Sequence, residues 1–190
     1  MHDRLFTHIR KYARLQPADE AWLREHLEHR EIRNKTFLLQ AGQICTANYF
    51  VTEGCVRMYL DTRQGSEQII QFGIDNWWIT DHISFNLQQP SRHYLQAVEN
   101  SSVLVLRHAD QENAFEAVPQ LERYFRMVYE RAYAASLTRI HYILNLSGEE
   151  RYKQFSTSFP DFVQRVPQYM LASFLGFTPE FLSKVRGKKS

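Results

Sequence analysis

The residues whose types and spacing most clearly indicate a functional surface lie near the end of the 190-residue chain, between residues 166 and 189. Pro167 can open a helix, Gly176 can supply the positive φ of a tight turn, and Thr178 can cap a second helix that starts at Pro179. Two such helices would share an apolar core, formed by Leu171, Leu175, Leu182 and Val185. The spacing therefore predicts a pair of short crossed helices with polar side chains on the outside.

Those outer side chains suit the major groove of DNA. Lysines there can neutralise phosphates, while Glu180 can accept from cytosine and Lys184 can donate to guanine. Helix pairs with a glycine turn also occur in proteins that touch no nucleic acid, but the basic ending favours DNA binding. We expect DNA contacts from Gln168, Thr178, Pro179, Glu180, Ser183, Lys184, Arg186, Lys188 and Lys189.

The distribution of charge supports the same hypothesis. The chain carries a formal net charge of +2, but residues 151–190 hold seven Lys and Arg against Asp161 and Glu180. This tail therefore carries +5, which leaves −3 for residues 1–150. Such asymmetry predicts a basic tail that meets a polyanion and an acidic body that does not.

The part of the chain that must position this tail begins with helical spacing and then changes to short strands. Two short helices are predicted between Leu5 and His29, and Cys45 and Cys55 are expected to be buried structural residues. Strands at this spacing, separated by Gly, Asn and Pro, imply a compact antiparallel roll or barrel. The predicted strands are 36–40, 49–52, 56–60, 68–72, 94–98 and 103–106.

A long helix follows residue 109. Its apolar seam has heptad spacing and consists of Leu121, Phe125, Val128, Ala132 and Ala135. One interpretation is an amphipathic helix packed on its own roll; the favoured one is the interface of a homodimer, because the alanines allow two helices to approach closely. Ser147 and Gly148 indicate a break and a new helix start, so we expect domains at 1–146 and 147–190.

Composition places the chain among ordinary folded proteins, with 44% hydrophobic and 23% charged residues. No window reaches the roughly 18 apolar residues of a membrane span, and no signal-peptide core follows the N-terminus. We therefore expect a cytoplasmic protein with no membrane partner.

The chain resembles the Crp/Fnr transcription regulators from about Phe6 to Lys189. Residues 35–42 look like the family's first roll strand and turn, residues 49–59 like its central hairpin, and residues 166–186 like its helix-turn-helix. The resemblance implies an α+β fold: an N-terminal antiparallel, jelly-roll-like β-roll of the cyclic-nucleotide-binding type, a long dimerisation helix and a small C-terminal helix-turn-helix of the winged type. The wing is expected to be missing or minimal, because little sequence follows the second helix. It also implies a homodimer on two-fold-related half-sites of double-stranded DNA, with RNA polymerase as a candidate partner.

The sequence departs from the family at the ligand cassette. Cyclic-nucleotide binders hold ribose with a Gly-Glu pair and phosphate with an Arg-Ser pair, whereas this chain has Thr80-Asp81 and Ser91 at the corresponding positions, with Arg92 one position off. Cyclic AMP is therefore not expected, and the residues specify no other cofactor. Trp77, Trp78, Phe85 and Tyr94 could close the roll as core or line a pocket for another molecule. The residues assigned to an altered effector pocket are Trp78, Thr80, Asp81, Ser91, Arg92 and His93.

Two less favoured hypotheses come from other classes of protein. A cupin-like metalloenzyme would use Asp81, His82, His93 and His108, but no His-x-His pair occurs and His108 follows the last predicted strand, so we expect no metal and no enzyme. A protein-binding adaptor would use the roll and long helix for assembly, and its DNA binding would lose all sequence preference at higher salt.

Overall fold

The computed structural model describes residues 1–187, so Lys188 and Lys189 lie outside the described residues. The chain begins with two helices, continues as a roll of eight strands and ends in helices. The helices are α1 (His2–Ile9), α2 (Pro17–His26), α3 (His82–Leu87), α4 (Gln111–Ala117), α5 (Gln120–Asn145), α6 (Gly148–Ser158), α7 (Pro160–Arg165), α8 (Gln168–Leu175) and α9 (Pro179–Gly187). The strands are β1 (Glu28–Ile32), β2 (Phe37–Leu39), β3 (Ala47–Glu53), β4 (Cys55–Asp61), β5 (Glu67–Ile74), β6 (Trp77–Ile79), β7 (Tyr94–Ala97) and β8 (Ser101–Arg107).

The strands form two antiparallel sheets, ordered β1-β8-β3-β6 and β2-β7-β4-β5. Apolar side chains from both sheets, among them Val51, Val56 and Leu95, meet in a core between them. Gly54 joins the first sheet to the second at φ +108°, and a Cβ there would lie 2.2 Å from the Ser101 hydroxyl oxygen. Only glycine fits a turn with that backbone angle and that close an approach.

The outer face of the first sheet is covered by helices. Phe50 of β3 lies opposite Trp78 of β6 on one side and Leu104 of β8 on the other. These three side chains belong to a second core with residues of α1, α2, α4 and the start of α5. The apolar spacing predicted for the first two helices is thus used to close one side of the roll, with Leu5 and Ile9 fully buried.

One tyrosine hydroxyl connects the helices to the roll. The Trp78 indole N–H donates to the Tyr124 hydroxyl at 2.8 Å, and the same hydroxyl lies 2.7 Å from Nδ1 of His8. Burial, with smaller contributions from Lys11 and Arg131, lowers the pKa of His8 to about 4. Neutral His8 can therefore accept the Tyr124 proton, which satisfies all three polar groups.

The buried apolar side chains of helix α5 all lie at its beginning, where the helix packs on its own roll. Leu121 and Phe125 are 3% and 4% exposed within the second core, and Val128 packs against it. Because buried side chains have no surface to offer a second chain, Leu121 and Phe125 must be removed from the expected dimer interface. The interpretation as a helix packed on its own roll is correct for this first part of α5. Farther along, Ala132 and Ala135 are exposed.

The C-terminal helices pack on the second sheet. Leu171 and Leu182 share a third core with Tyr59, Ile69 and Phe72 of the roll. Strand β5 is the edge of its sheet, and the Ser173 hydroxyl of α8 accepts from Ile69 N–H at 2.9 Å and donates to Glu67 C=O at 2.9 Å. Helix α8 thereby satisfies backbone groups that an edge strand otherwise leaves open.

No helix among residues 1–187 has the combined length and apolar character that crossing a membrane requires.

Replacing Tyr124 with Phe should lower the free energy of unfolding by about 1–3 kcal/mol, because the buried Trp78 N–H would lose its acceptor. Chemical denaturation followed by circular dichroism measures this. Tyr169→Phe is the control, since Tyr169 is 52% exposed. Equal stability of the two variants would mean that the Tyr124 hydroxyl makes no net contribution.

Candidate nucleic-acid interface and effector position

Helices α8 and α9 form the predicted helix-turn-helix pair. Gly176 ends α8 in the left-handed region at φ +76°, where glycine carries no steric penalty. The Thr178 hydroxyl accepts the Phe181 N–H at 3.2 Å, and α9 starts at Pro179 as expected. The cap, proline and turn residues thus have the local roles that their spacing predicted.

The predicted division between inner and outer faces is confirmed. The inner residues are buried: Leu171 at 0%, Leu175 at 5%, Leu182 at 0% and Val185 at 6% exposure. The outer residues are exposed, and they are Gln168 at the start of α8 together with Thr178, Pro179, Glu180, Ser183, Lys184 and Arg186. Apart from Gln168 on the neighbouring helix, these exposed candidates lie on α9 or at its cap, and we call them together the outer surface of the pair.

The charges on this surface are available to a ligand. Within the described part of the chain, neither Lys184 nor Arg186 has a carboxylate within 4.0 Å. Backbone and Thr178 hydrogen bonds at the start of α9 lower the pKa of Glu180, which therefore stays ionised at neutral pH. The surface combines two cations with an acceptor-only carboxylate, which is the donor and acceptor variety that base edges require.

Three arginines that the sequence analysis did not single out fix this surface relative to the roll. Arg139 of α5 donates to the carbonyls of Ile70 in β5 and Phe174 in α8, and its guanidinium lies 4.1 Å from the Phe174 ring centre. Burial lowers the pKa of Arg139. Its contacts are all with backbone carbonyls and a ring, so no charge pattern in the sequence could have identified it.

Arg165 and Arg151 complete the connection. Arg165 of α7 forms ion pairs with Asp75 and Glu99 of the roll. Arg151 of α6 donates to the Leu175 carbonyl at 2.7 Å, at the end of α8. These contacts join the long helix, the roll and the helix pair in a single arrangement.

Five of the six expected effector residues fall into two groups, and the first group is part of the interior. Trp78 is 9% exposed and is bonded to Tyr124, while the buried Thr80 hydroxyl donates to the Ala47 carbonyl at 2.9 Å. Both side chains already have partners inside the fold. This corrects the expectation that Trp78 and Thr80 line an open pocket. Of the aromatic residues considered for a pocket, Phe85 is also buried core.

The second group forms a closed hydrogen-bond network around Asp81. The carboxylate accepts from the amides of Ile83 and Ser84 at 3.1 and 3.3 Å, from the Ser91 hydroxyl at 2.6 Å, and from His93 Nδ1 at 3.0 Å. Burial raises the pKa of Asp81, but the bonds from Ser91, His93 and the Ser84 amide outweigh it, so the pKa is lowered. The carboxylate that would replace the family's ribose-binding Glu is thus used as the cap of α3.

Arg92 is the one member of the expected effector set that is exposed. The proposed metal-site set is dispersed: His82 packs edge-on against Tyr129, His108 packs against Phe85, and only Asp81 and His93 touch each other. In residues 1–187 no group of three or more His, Cys, Asp or Glu side chains is placed to hold a metal ion.

Comparison with known proteins gives the class to which this fold belongs. Residues 29–117 match the family of the cyclic nucleotide-binding domain. Searching curated proteins gave no sequence match. The match covers the roll and α4, which confirms the resemblance of the roll to cyclic-nucleotide-binding domains.

Solved structures extend the likeness to nearly the whole chain. The c-di-GMP responsive global regulator CLP of Xanthomonas campestris has a TM-score of 0.73 at 14% identity, covering 89% of this chain and 88% of its own. FixK2 of Bradyrhizobium japonicum has a TM-score of 0.72 at 16% identity, covering 85% and 83%. The catabolite activator protein of Thermus thermophilus has a TM-score of 0.57 at 17% identity, covering 92% and 83%. These neighbours are transcription regulators of the Crp/Fnr type, so the predicted Crp/Fnr fold is confirmed.

Replacing Asp81 with Ala should lower the free energy of unfolding by about 2 kcal/mol, because four hydrogen bonds to the carboxylate are lost. Since folding lowers the pKa of Asp81 below that of an ordinary aspartate, this stabilisation is present above about pH 4 and is lost as the pH falls further. Thermal unfolding between pH 7 and pH 3 measures both effects. Asp110→Ala is the control, because Asp110 precedes α4 without a side-chain cap bond; equal losses in both variants would contradict the role given to Asp81.

Proposed function

We propose that the chain is a homodimeric, sequence-specific DNA-binding transcription regulator whose effector domain is altered from the cyclic-nucleotide type. The observation that carries this proposal is the exposed outer face of α9, where Glu180, Ser183, Lys184 and Arg186 surround a fully packed inner face. Such a helix can enter a major groove without any loss of core packing. The domain boundary between residues 146 and 147 belongs to the same proposal, and the end of α5 at Asn145 supports it.

A specific recognition role for α9 separates this proposal from an adaptor. Phosphate contacts from Arg186 would supply affinity at low salt, whereas Lys184 would supply base discrimination. Each helix pair would then bind one half-site. In a dimer, two copies of α9 separated by about 34 Å would contact successive major grooves on one face of the duplex.

The dimer interface that we propose lies on the exposed face of α5 rather than on the face first expected. Tyr133, Leu137, Ile140 and Leu144 follow one another at intervals of four, three and four residues, which is a heptad spacing. They are 67%, 48%, 52% and 76% exposed, an unusual amount for apolar side chains along one helix face. Tyr129, at 38% exposure, begins the stripe. A second copy of α5 is the partner with a matching surface.

The other residues of the interface first expected, Val128, Ala132 and Ala135, differ in how they fit the revised interface. Val128 is already packed against its own core, so a second chain would add little to its burial. Ala132 lies beside the apolar stripe on the helix surface and would let the two helices approach. Ala135 projects toward the opposite side at 100° per residue, and we leave it out of the revised interface.

The effector domain would act through contacts that already exist. A ligand on the roll can change the dimer only by binding one arrangement of α5 more tightly than another. Because Tyr124 bonds to Trp78 and Arg139 bonds to β5, a change in the roll reaches α5 at both places. The Asp81 carboxylate already accepts four hydrogen bonds within the chain, which argues against its binding the ribose of a cyclic nucleotide.

Replacing Lys184 with Ala should weaken binding to the preferred duplex by about 1–3 kcal/mol, because a base-edge contact is lost. The duplex is first selected from a random pool, and affinities are then measured at fixed salt by fluorescence anisotropy. Lys153→Ala removes an exposed charge from α6 and is the control. A specific affinity that is unchanged in Lys184→Ala, or a pool with no preferred sequence, would contradict the recognition role of α9.

Replacing Ile140 with Glu should convert the dimer to monomers, because each interface would bury an unpaired charge. Light scattering coupled to size exclusion measures the mass. Thr138→Glu adds the same charge on the opposite side of α5 and should leave the dimer intact. A wild-type monomer, or a dimer that survives the Ile140 change, would show that the chains associate elsewhere or not at all.

A further inference from the structure

A second cationic surface lies far along the sequence from the helix pair, where the loop between α1 and α2 meets the long helix. Arg123 and Arg131 of α5 bond to Tyr12, while Lys11 and Arg14 line the same depression as Tyr12; we call these five residues the Tyr12 cluster. Residues 10–15 line a shallow depression of about 540 Å³ beside them. The cluster stands out because residues 1–150 as a whole carry a charge of −3.

Hydrogen bonds to Tyr12 hold the two helix arginines in place. Arg123 donates through Nε to the Tyr12 carbonyl at 2.9 Å, and Arg131 donates to the Tyr12 hydroxyl at 2.6 Å. The Arg131 guanidinium also lies 4.9 Å from the centre of the Tyr12 ring. Each guanidinium has N–H groups that these bonds do not use, so fixed donors remain for another molecule.

The four cations lack the compensation that neighbouring basic residues have. Arg10 pairs with Glu20, and Arg126 pairs with Glu130. For Lys11, Arg14, Arg123 and Arg131 no carboxylate oxygen within residues 1–187 lies closer than 4.0 Å. Like charges gathered without counter-charges repel one another, and a bound anion would relieve that repulsion.

We propose that the Tyr12 cluster is a binding site for a small anion with at least two negative charges, of the diphosphate class. The two arginines are bonded to opposite ends of Tyr12, its backbone carbonyl and its hydroxyl, so an anion that contacts both needs negative charge at more than one point. Lys11 and Arg14 line the depression and add two exposed cations to the site. Fixed donors reduce the entropy lost on binding.

The site is next to the hydrogen bonds that connect the long helix to the roll. The Tyr12 ring centre is 5.8 Å from that of Tyr124 and 5.5 Å from that of His8. After burial, the cations Lys11 and Arg131 are what lower the pKa of His8. A bound anion would oppose that effect. Its use as an effector rests on the proposed regulatory function, whereas the binding itself does not.

The test is calorimetric titration of the full chain with inorganic pyrophosphate at constant ionic strength. Lys11→Gln combined with Arg14→Gln should weaken binding about tenfold or more, because two charge-assisted contacts are lost. Both residues are exposed, so the variant should fold as the wild type does. Arg63→Gln combined with Arg92→Gln removes the same charge from exposed positions elsewhere and should bind as the wild type does.

Inorganic phosphate should bind the wild type more weakly than pyrophosphate, as expected if two groups are bridged. Three results would each overturn the proposal: a wild type that does not bind pyrophosphate, equal losses in the two double variants, or a loss only in the Arg63 and Arg92 variant. Equal losses would indicate attraction by net charge alone, and the last result would place the anion near Arg63 or Arg92 instead. None of these results depends on DNA binding, so failure here and failure of the proposed function are separable.

Discussion

The Tyr124 hydroxyl is the contact on which the arrangement of the roll, α1 and the start of α5 depends. Tyr124 is fully buried, and its oxygen joins a strand of the roll through Trp78 and the first helix through His8. A buried hydroxyl with both partners in place fixes orientation as well as position, because neither partner can turn away without leaving a polar atom unpaired. The first turns of α5 therefore have one angle on the roll, and that angle directs the apolar stripe beyond Tyr129 away from the domain.

Contacts farther along α5 carry this orientation to the helix pair. Arg139 bonds to the roll and to α8 from the same guanidinium, and among residues 1–187 no carboxylate lies within 4.0 Å of it. Arg165 adds ion pairs to Asp75 and Glu99 from the other side. Partly buried charges with several partners are sensitive to small displacements, because the loss of one partner leaves the desolvation of the charge uncompensated. The outer face of α9 is held by its connections to the roll while remaining clear of it.

Much of the fold could be predicted because its elements are marked by local chemistry. Gly176, Thr178 and Pro179 define the turn and the start of α9, and the Ser147 cap defines the start of α6. The six predicted strands, which are short runs separated by Gly, Asn and Pro, each overlap a strand of the structure. Strand β1, with the sequence Glu-His-Arg-Glu-Ile, was missed because an edge strand with one buried residue has no apolar period.

The assignments that needed correction all depended on which partner a side chain faces. The heptad spacing of Leu121 and Phe125 is equally suited to a second helix and to the chain's own roll, and only the position of Phe50 and Trp78 decides between them. Asp81 has the chemistry of a ligand-binding carboxylate, but Ser91 and His93 of the same chain are its hydrogen-bond partners. Composition and periodicity indicate which side chains need a partner, but they do not identify the residue that supplies it. Arg139 could not be recognised for the same reason, because its partners are backbone carbonyls.

The hydrogen bonds from Ser173 to the edge of β5 protect the chain from association at high protein concentration. Any condition that detached the C-terminal helices would uncover the Glu67 carbonyl and the Ile69 amide of an otherwise ordered strand. An uncovered strand edge recruits whatever can complete it, including helices donated by a neighbouring molecule. Detachment of the C-terminal helices and the exchange of segments between copies are therefore linked. In concentrated samples the contact between α8 and β5, which closes each single chain, would instead join neighbouring chains into oligomers.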